Sequence, residues 1–92
     1  MIKKVIFEPK ARDEYEVWKT TNSKIADRIK ELIKDIKKNP FMGLGKPEPL
    51  KHGLSGWWSR RIDRVNRLVY SVENDTLIVM SCKHHYEGRR KQ

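Results

Sequence analysis

The stretch WWSRRIDRVNRLVYSVENDTLIVMSCK, residues 57–83, decides the fold. It holds three runs, Trp57–Asp63, Arg67–Glu73 and Thr76 to about Lys83, rich in the aromatic and β-branched side chains that pack well on a pleated surface. Asn74-Asp75 divides the last two runs and predicts a two-residue hairpin, so the three runs form an antiparallel meander. Side chains alternate between the faces of a strand. Leu68, Tyr70 and Val72 therefore share one face, read as core, and Arg67, Val69, Ser71 and Glu73 share the other. In the first run Trp57, Ser59, Arg61 and Asp63 oppose Trp58, Arg60, Ile62 and Arg64, so an arginine emerges on each side whichever tryptophan is buried. A regular last strand sets Leu77, Val79, Ser81, Lys83 and His85 against Ile78, Met80, Cys82, His84 and Tyr86, with the tandem histidines on opposite faces.

Upstream, Ile2 to Phe7 reads as a first strand, closed by Glu8-Pro9 with the proline early in the first turn of a helix. From Lys10 to about Thr20, Ala11, Tyr15 and Trp18 fall on one helical stripe. Thr21-Asn22-Ser23 offers capping residues, and Ile25, Ile29, Leu32, Ile33 and Ile36 then mark a second amphipathic helix to Lys37 or Lys38. Asn39-Pro40 ends it, because the residue before a proline is driven from the α region. Residues 39–56 carry four of the five glycines and three of the four prolines and form the irregular part of the chain. The layout is β-α-α-β-β-β with an extra short strand around Leu50-Lys51, an α+β fold whose two helices pack on one sheet face and leave the other for work.

The chain has 92 residues, 37% hydrophobic, with 21 Lys and Arg against 12 Asp and Glu for a net charge of +9. That supplies one core but neither a second domain nor a membrane span. A domain this small buries only about two-thirds of its extended surface, which favours a dimer or another partner. The single cysteine, Cys82, closes no intrachain disulfide and fits a reducing cytoplasm. The apolar run Val5-Ile6-Phe7 is far shorter than the ~7–15 residues of a signal-peptide core, so no export signal is expected. The charge suits nucleic acid, an anionic membrane or an acidic protein. Neither helix sets its lysines beside a strongly lipid-seeking face, which removes the membrane.

His52, His84, His85 and Cys82 show no metal-ligand spacing, so neither a metal nor another cofactor is expected. Gly43-Leu44-Gly45-Lys46 lacks the spacing of a phosphate loop and reads as a flexible loop. What remains is a basic and aromatic C-terminal half: Lys46, Lys51, Arg60, Arg61, Arg64, Arg67 and Lys83 interleaved with Trp57, Trp58, Tyr70 and Tyr86. Guanidinium groups grip phosphates while rings stack on splayed bases, so the set suits single-stranded RNA; the bland reading is a solvated basic sheet edge. Metal-free RNA cleavage needs a base for the 2′-hydroxyl proton, an acid for the departing 5′-oxygen, and cations for the phosphate. Glu48, then His85 or Tyr86, then Arg61 with Arg67 supply these. A free glutamate titrates near ~4.3 and is a weak base at neutral pH, so alignment and electrostatics must carry the rate.

The runs Gly45-Lys46-Pro47-Glu48-Pro49-Leu50-Lys51, Leu54-Ser55-Gly56-Trp57-Trp58-Ser59-Arg60-Arg61-Ile62 and Arg67-Leu68-Val69-Tyr70, with the closing His85-Tyr86, resemble the YoeB toxins of the RelE superfamily from Ile2 to Tyr86. The resemblance implies a RelE-like microbial RNase fold, two helices on a small twisted antiparallel sheet. It also implies a bacterial type II toxin: a metal-independent mRNA endoribonuclease acting in the A site of the 70S ribosome and leaving 2′,3′-cyclic phosphate or 3′-phosphate ends. The same family implies a homodimer and a neutralising YefM-like antitoxin. By position the general base is Glu48, the general acid is His85, and Arg67 stabilises the transition-state phosphate; Lys51, Arg61 and Tyr86 hold phosphate or orient the base. Three features depart from the family: Asn66 and His84 stand where it often has His and Tyr, and Glu87–Gln92 adds a basic tail, expected to be flexible, to the single domain of residues 1–86. The alternative is a non-catalytic basic module that acts as corepressor, reaching operator DNA only through its antitoxin.

Overall fold

The computed structural model describes residues 1–84. His85, Tyr86 and the tail 87–92, with the roles expected of them, lie outside the described residues. Seven elements follow in order: β1 (Lys4–Phe7), α1 (Pro9–Thr21), α2 (Ser23–Lys38), β2 (Glu48–Pro49), β3 (Trp58–Arg61), β4 (Arg67–Glu73) and β5 (Thr76–Ser81). Pro9 opens α1, where its missing N–H costs nothing. The Asn22 side chain caps α2 by accepting from the Ile25 N–H at 3.3 Å. Ile25, Ile29, Leu32 and Ile36 are buried from α2 and Ala11 from α1, the stripes that the periodicity predicts, with Tyr15, Trp18 and Ile33 half-buried against the same core.

The sheet has the order β1-β5-β4-β3-β2. The α+β architecture stands as expected, but the sheet is mixed: β1 runs parallel to β5, Lys4 opposite Thr76 through Phe7 opposite Val79. Parallel pairing needs a long crossover, and everything between Phe7 and Thr76 serves as one. The meander itself is antiparallel, with Glu73 facing Thr76 across the Asn74-Asp75 turn. The extra strand lies two residues earlier than expected, at Glu48–Pro49, paired with Ser59 and Trp58. Pro49 donates nothing to a ladder and is tolerated because β2 is an edge strand.

Leu68, Tyr70, Leu77 and Val79 face the helices and are fully buried. The alternation expected for the last strand fails at Met80. Tyr70 pairs with Val79 but the adjacent Val69 pairs with Ser81, so Met80 is an extra residue, and the bulge turns Ser81 onto the face opposite the helices. Cys82 beyond it is fully buried in the core, and burial pushes its thiol up to about 12.

Arg60 overturns two expectations. It does not join the RNA-facing set; it is fully buried on the helix side, as is Tyr70. Its guanidinium donates to Asp35 Oδ2 at 2.6 Å, to the carbonyls of Asn39, Met42 and Leu44 at 2.6, 3.0 and 3.1 Å, and to Tyr70 Oη at 3.2 Å. Tyr70 Oη in turn donates to the Pro40 carbonyl at 2.7 Å. The loop after α2 is therefore bound to one buried cation instead of being flexible. Gly43 is required there, since its φ is +122° and a Cβ would collide with Asp35 Oδ2.

Candidate active site

The Arg60 network fixes the chain that delivers Glu48. Beyond Leu44, the Gly45 carbonyl accepts from the Arg61 N–H at 2.7 Å, which ties the loop to the end of β3 just before β2 begins. Gly45 has φ +80°, and a Cβ would lie 2.9 Å from the Arg61 carbonyl oxygen. Glu48 then pairs with Ser59, and the Leu50 N–H, donating to the Trp57 carbonyl at 2.9 Å, extends the ladder.

Cross-strand partners share a face. Glu48, Ser59, Val69 and Ser81 therefore form one row across four strands, on the face opposite the helices. Ser59, Val69 and Ser81 are buried and make a floor of small side chains, while Glu48 is exposed. Arg61 and Arg67, directly opposite each other, form the next row on the same face. Arg61 lies diagonal to Glu48, a spacing of about 7–8 Å that long side chains span.

Like charges directly opposite each other destabilise a strand pair. Among the described residues neither Arg61 nor Arg67 has a carboxylate within 4.0 Å. Arg67 is oriented instead by the carbonyls of Asp63 and Asn66, which accept from Nη1 at 3.3 and 3.4 Å. Two arginines thus stand opposite each other beside a shallow floor and line one cleft, an arrangement that an anion relieves. Loss of water raises the Asp63 carboxyl, but the N–H groups of Asn66 and Val65, the Asn66 amide and the Arg67 charge outweigh this and hold it below the usual carboxylate range.

The end of β5 is pinned beside this row. Trp18 Nε1 donates to the Cys82 carbonyl at 2.9 Å, and the Cys82 N–H donates to Glu14 Oε1 at 2.8 Å. The His84 N–H donates to Asn66 Oδ1 at 2.6 Å, and the Arg67 N–H donates to the His84 carbonyl at 3.2 Å. Asn66, buried, is thus a clamp between the Asp63–Asn66 turn and the C-terminal segment. In the sequence it stands out as an Asx residue near a turn and as a departure from the family's frequent histidine, and neither signals the clamp.

The expected site residues therefore divide. Glu48, Arg61 and Arg67 come together on one face; Lys51 is exposed in the loop after β2, with no hydrogen bond or ion pair to them; His85 and Tyr86 lie outside the described residues. Among the described residues no three of His, Cys, Asp and Glu come together, and no helix is long and apolar enough to cross a membrane.

Residues 7–86 match the family of YoeB-like toxins of bacterial type II toxin–antitoxin systems. The toxin YoeB of Escherichia coli K12 is 51% identical over 83 residues, covering 90% of this chain and 99% of that protein. The YoeB dimer from Staphylococcus aureus superposes with a TM-score of 0.88 at 39% identity, over 94% of this chain and all of that one. The YoeB–YefM complex from the same organism gives a TM-score of 0.85 at 40% identity, over 94% and 99% of the two chains. The chain belongs to the YoeB-like toxins of bacterial type II toxin–antitoxin systems.

Proposed function

We propose that the sheet face bearing Glu48, Arg61 and Arg67 cleaves mRNA in the A site of the 70S ribosome, without a metal. Glu48 takes the proton of a 2′-hydroxyl, and the 2′-oxygen attacks the adjacent phosphorus. Arg67, with Arg61, Lys51 and Tyr86, carries the extra negative charge and holds the backbone in line. His85 gives a proton to the departing 5′-oxygen. The products are a 2′,3′-cyclic phosphate, opened by water to a 3′-phosphate, and a 5′-hydroxyl. The observation that carries this reading is the Arg61–Arg67 pair, opposed across β3 and β4 beside Glu48 with no acidic partner among the described residues.

A carboxylate is a weak base at neutral pH, so the rate rests on alignment and on preorganised charge. A ribosome-held message supplies the alignment. The partners that fit are a YefM-like antitoxin, whose acidic segment folds over the Arg61–Arg67 row and blocks it, and a second copy of the chain; operator DNA is reached through the antitoxin. The S. aureus relatives, solved as a dimer and with YefM, support both. The cytoplasm is the compartment in which these meet. End-mapping of mRNA in a translation extract tests the reading: wild type yields cyclic-phosphate or 3′-phosphate ends, lost in Glu48→Ala and His85→Ala. Cuts that survive both substitutions would remove these residues from the mechanism, and salt-dependent nucleic-acid binding with no effect on messages would favour the corepressor.

A further inference from the structure

An open cleft of about 590 Å³ wraps the end of the β3–β4 hairpin and joins the Arg61–Arg67 row to the flank of α2. Among the described residues five cations line it, Arg28, Lys46, Arg61, Arg64 and Arg67, against one carboxylate, Asp63. That carboxylate is already engaged: Oδ1 accepts from the Val65 and Asn66 N–H groups at 2.9 and 2.7 Å, and Arg67 lowers it further. Arg64 and Lys46 are exposed and without a salt-bridge partner among the described residues, and Arg28 pairs only with its helical neighbour Glu31 at 2.9 Å. Arg61 and Arg67 are accounted for by a scissile phosphate. Arg28, Lys46 and Arg64 are not.

We propose that Arg28, Lys46 and Arg64 form a second phosphate subsite, which binds the RNA backbone next to the scissile phosphate and leads it over the hairpin end toward α2. The anchor points are fixed by the fold. Lys46, at φ +53°, follows the Gly45 carbonyl held by Arg61; Arg64 sits in the turn locked by Asp63; Arg28 is on a regular helix. The lining also selects the ligand. Among the described residues its only large apolar side chain, Ile62, is 7% exposed, so beyond the Arg61–Arg67 row, which an acidic segment can cover by charge, the cleft offers no pocket for the apolar anchors on which a peptide that folds on binding depends. Among the described residues no aromatic ring lines it either, so the Arg28, Lys46 and Arg64 end offers no ring for a base to stack on and reads backbone charge without sequence preference.

The inference rests on reading the sheet face as an RNA site, but its test does not need cleavage. The full chain is titrated against a 2′-deoxy-substituted single strand of about 8 nucleotides and against a dinucleotide of the same chemistry, at several salt concentrations. Arg64→Glu, Arg28→Ala and Lys46→Gln should each weaken the longer probe about 3- to 10-fold, lower the slope of log K against log salt by ~0.7 per lost contact, and leave the dinucleotide unchanged. Unchanged affinity and slope for the longer probe would overturn the proposal, as would equal losses for both probes, which indicate a diffuse field. Loss confined to an acidic peptide of the antitoxin type, with RNA binding intact, would make the cleft a protein-docking surface instead and equally overturn it. Thermal melts confirm folding of each variant, and Lys46→Gln stands in for any that fails. If translating messages are not cut but the longer probe still loses affinity, the cleavage reading fails while the subsite stands.

Discussion

Replacing Arg60 by lysine keeps the buried charge but removes the fork. The guanidinium serves five acceptors from three nitrogens: Tyr70 Oη from Nε, Asp35 Oδ2 and the Leu44 carbonyl from Nη1, and the Asn39 and Met42 carbonyls from Nη2. An ammonium group has three donors on one atom. Even with Asp35 retained, two acceptors lose their partner, each worth about 1.5 kcal/mol for a bond to a charged donor, so Arg60→Lys should cost about 3 kcal/mol. For a domain of this size that is a fall in Tm of roughly 12–24 °C. The assay is thermal and urea unfolding of the full chain at one fixed concentration, since association shifts apparent stability. Combining Arg60→Met with Asp35→Ala should lose less than the sum of the singles by about 1 kcal/mol or more, because the two side chains share one interaction. A Tm within about 3 °C of wild type for Arg60→Lys would refute the view that this cation organises the loop.

Other consequences can be checked in the same way. Backbone N–H and Arg60 donors hold the Asp35 carboxyl below its ordinary value of 3.8, so its contribution is full above that value and is lost as pH falls through the lowered folded value; the stability gap between wild type and Asp35→Asn, followed by urea midpoints, should shrink below about pH 4. Gly45→Ala forces a Cβ into the left-handed region and against the Arg61 carbonyl, and should cost about 2 kcal/mol or more in urea unfolding. Trp18→Phe deletes the indole donor to the Cys82 carbonyl and should cost about 1–2 kcal/mol; amide exchange should quicken at His84, which lies beyond that anchor, while the middle of α2 is unchanged.

The elements were legible where a periodic pattern and a specific turn residue coincide. Ile25, Ile29, Leu32 and Ile36 behind Asn22 gave α2, and Asn74-Asp75 gave the β4–β5 hairpin. Of the site, the groups that metal-free RNA cleavage needs picked out Glu48, Arg61 and Arg67, and strand parity set Arg67 on the face opposite the core, but parity left Arg60 and Arg61 open to either face; the meeting with Glu48 depended on the position of β2, which lies two residues before the place expected. Three features were hidden because they depend on partners distant in the chain. Nothing local marks β1 as the parallel neighbour of β5. Arg60 and Arg61 are adjacent and chemically alike, and only Asp35, 25 residues away, distinguishes the buried arginine from the exposed one. The bulge at Met80 reverses the alternation without a glycine or proline to announce it.

The central claim is that this sheet face is a ribonuclease whose rate is completed by a ribosome-held substrate. Single-turnover cleavage of one message, free and bound in the A site of programmed 70S ribosomes, tests it most directly, with Glu48→Gln and Arg67→Ala alongside wild type. The account predicts slow, poorly selective cutting of free RNA, cutting on the ribosome faster by about 100-fold or more, and a loss of about 100-fold or more in either variant on the ribosome. Equal rates per bound site on free and ribosome-bound RNA would contradict it.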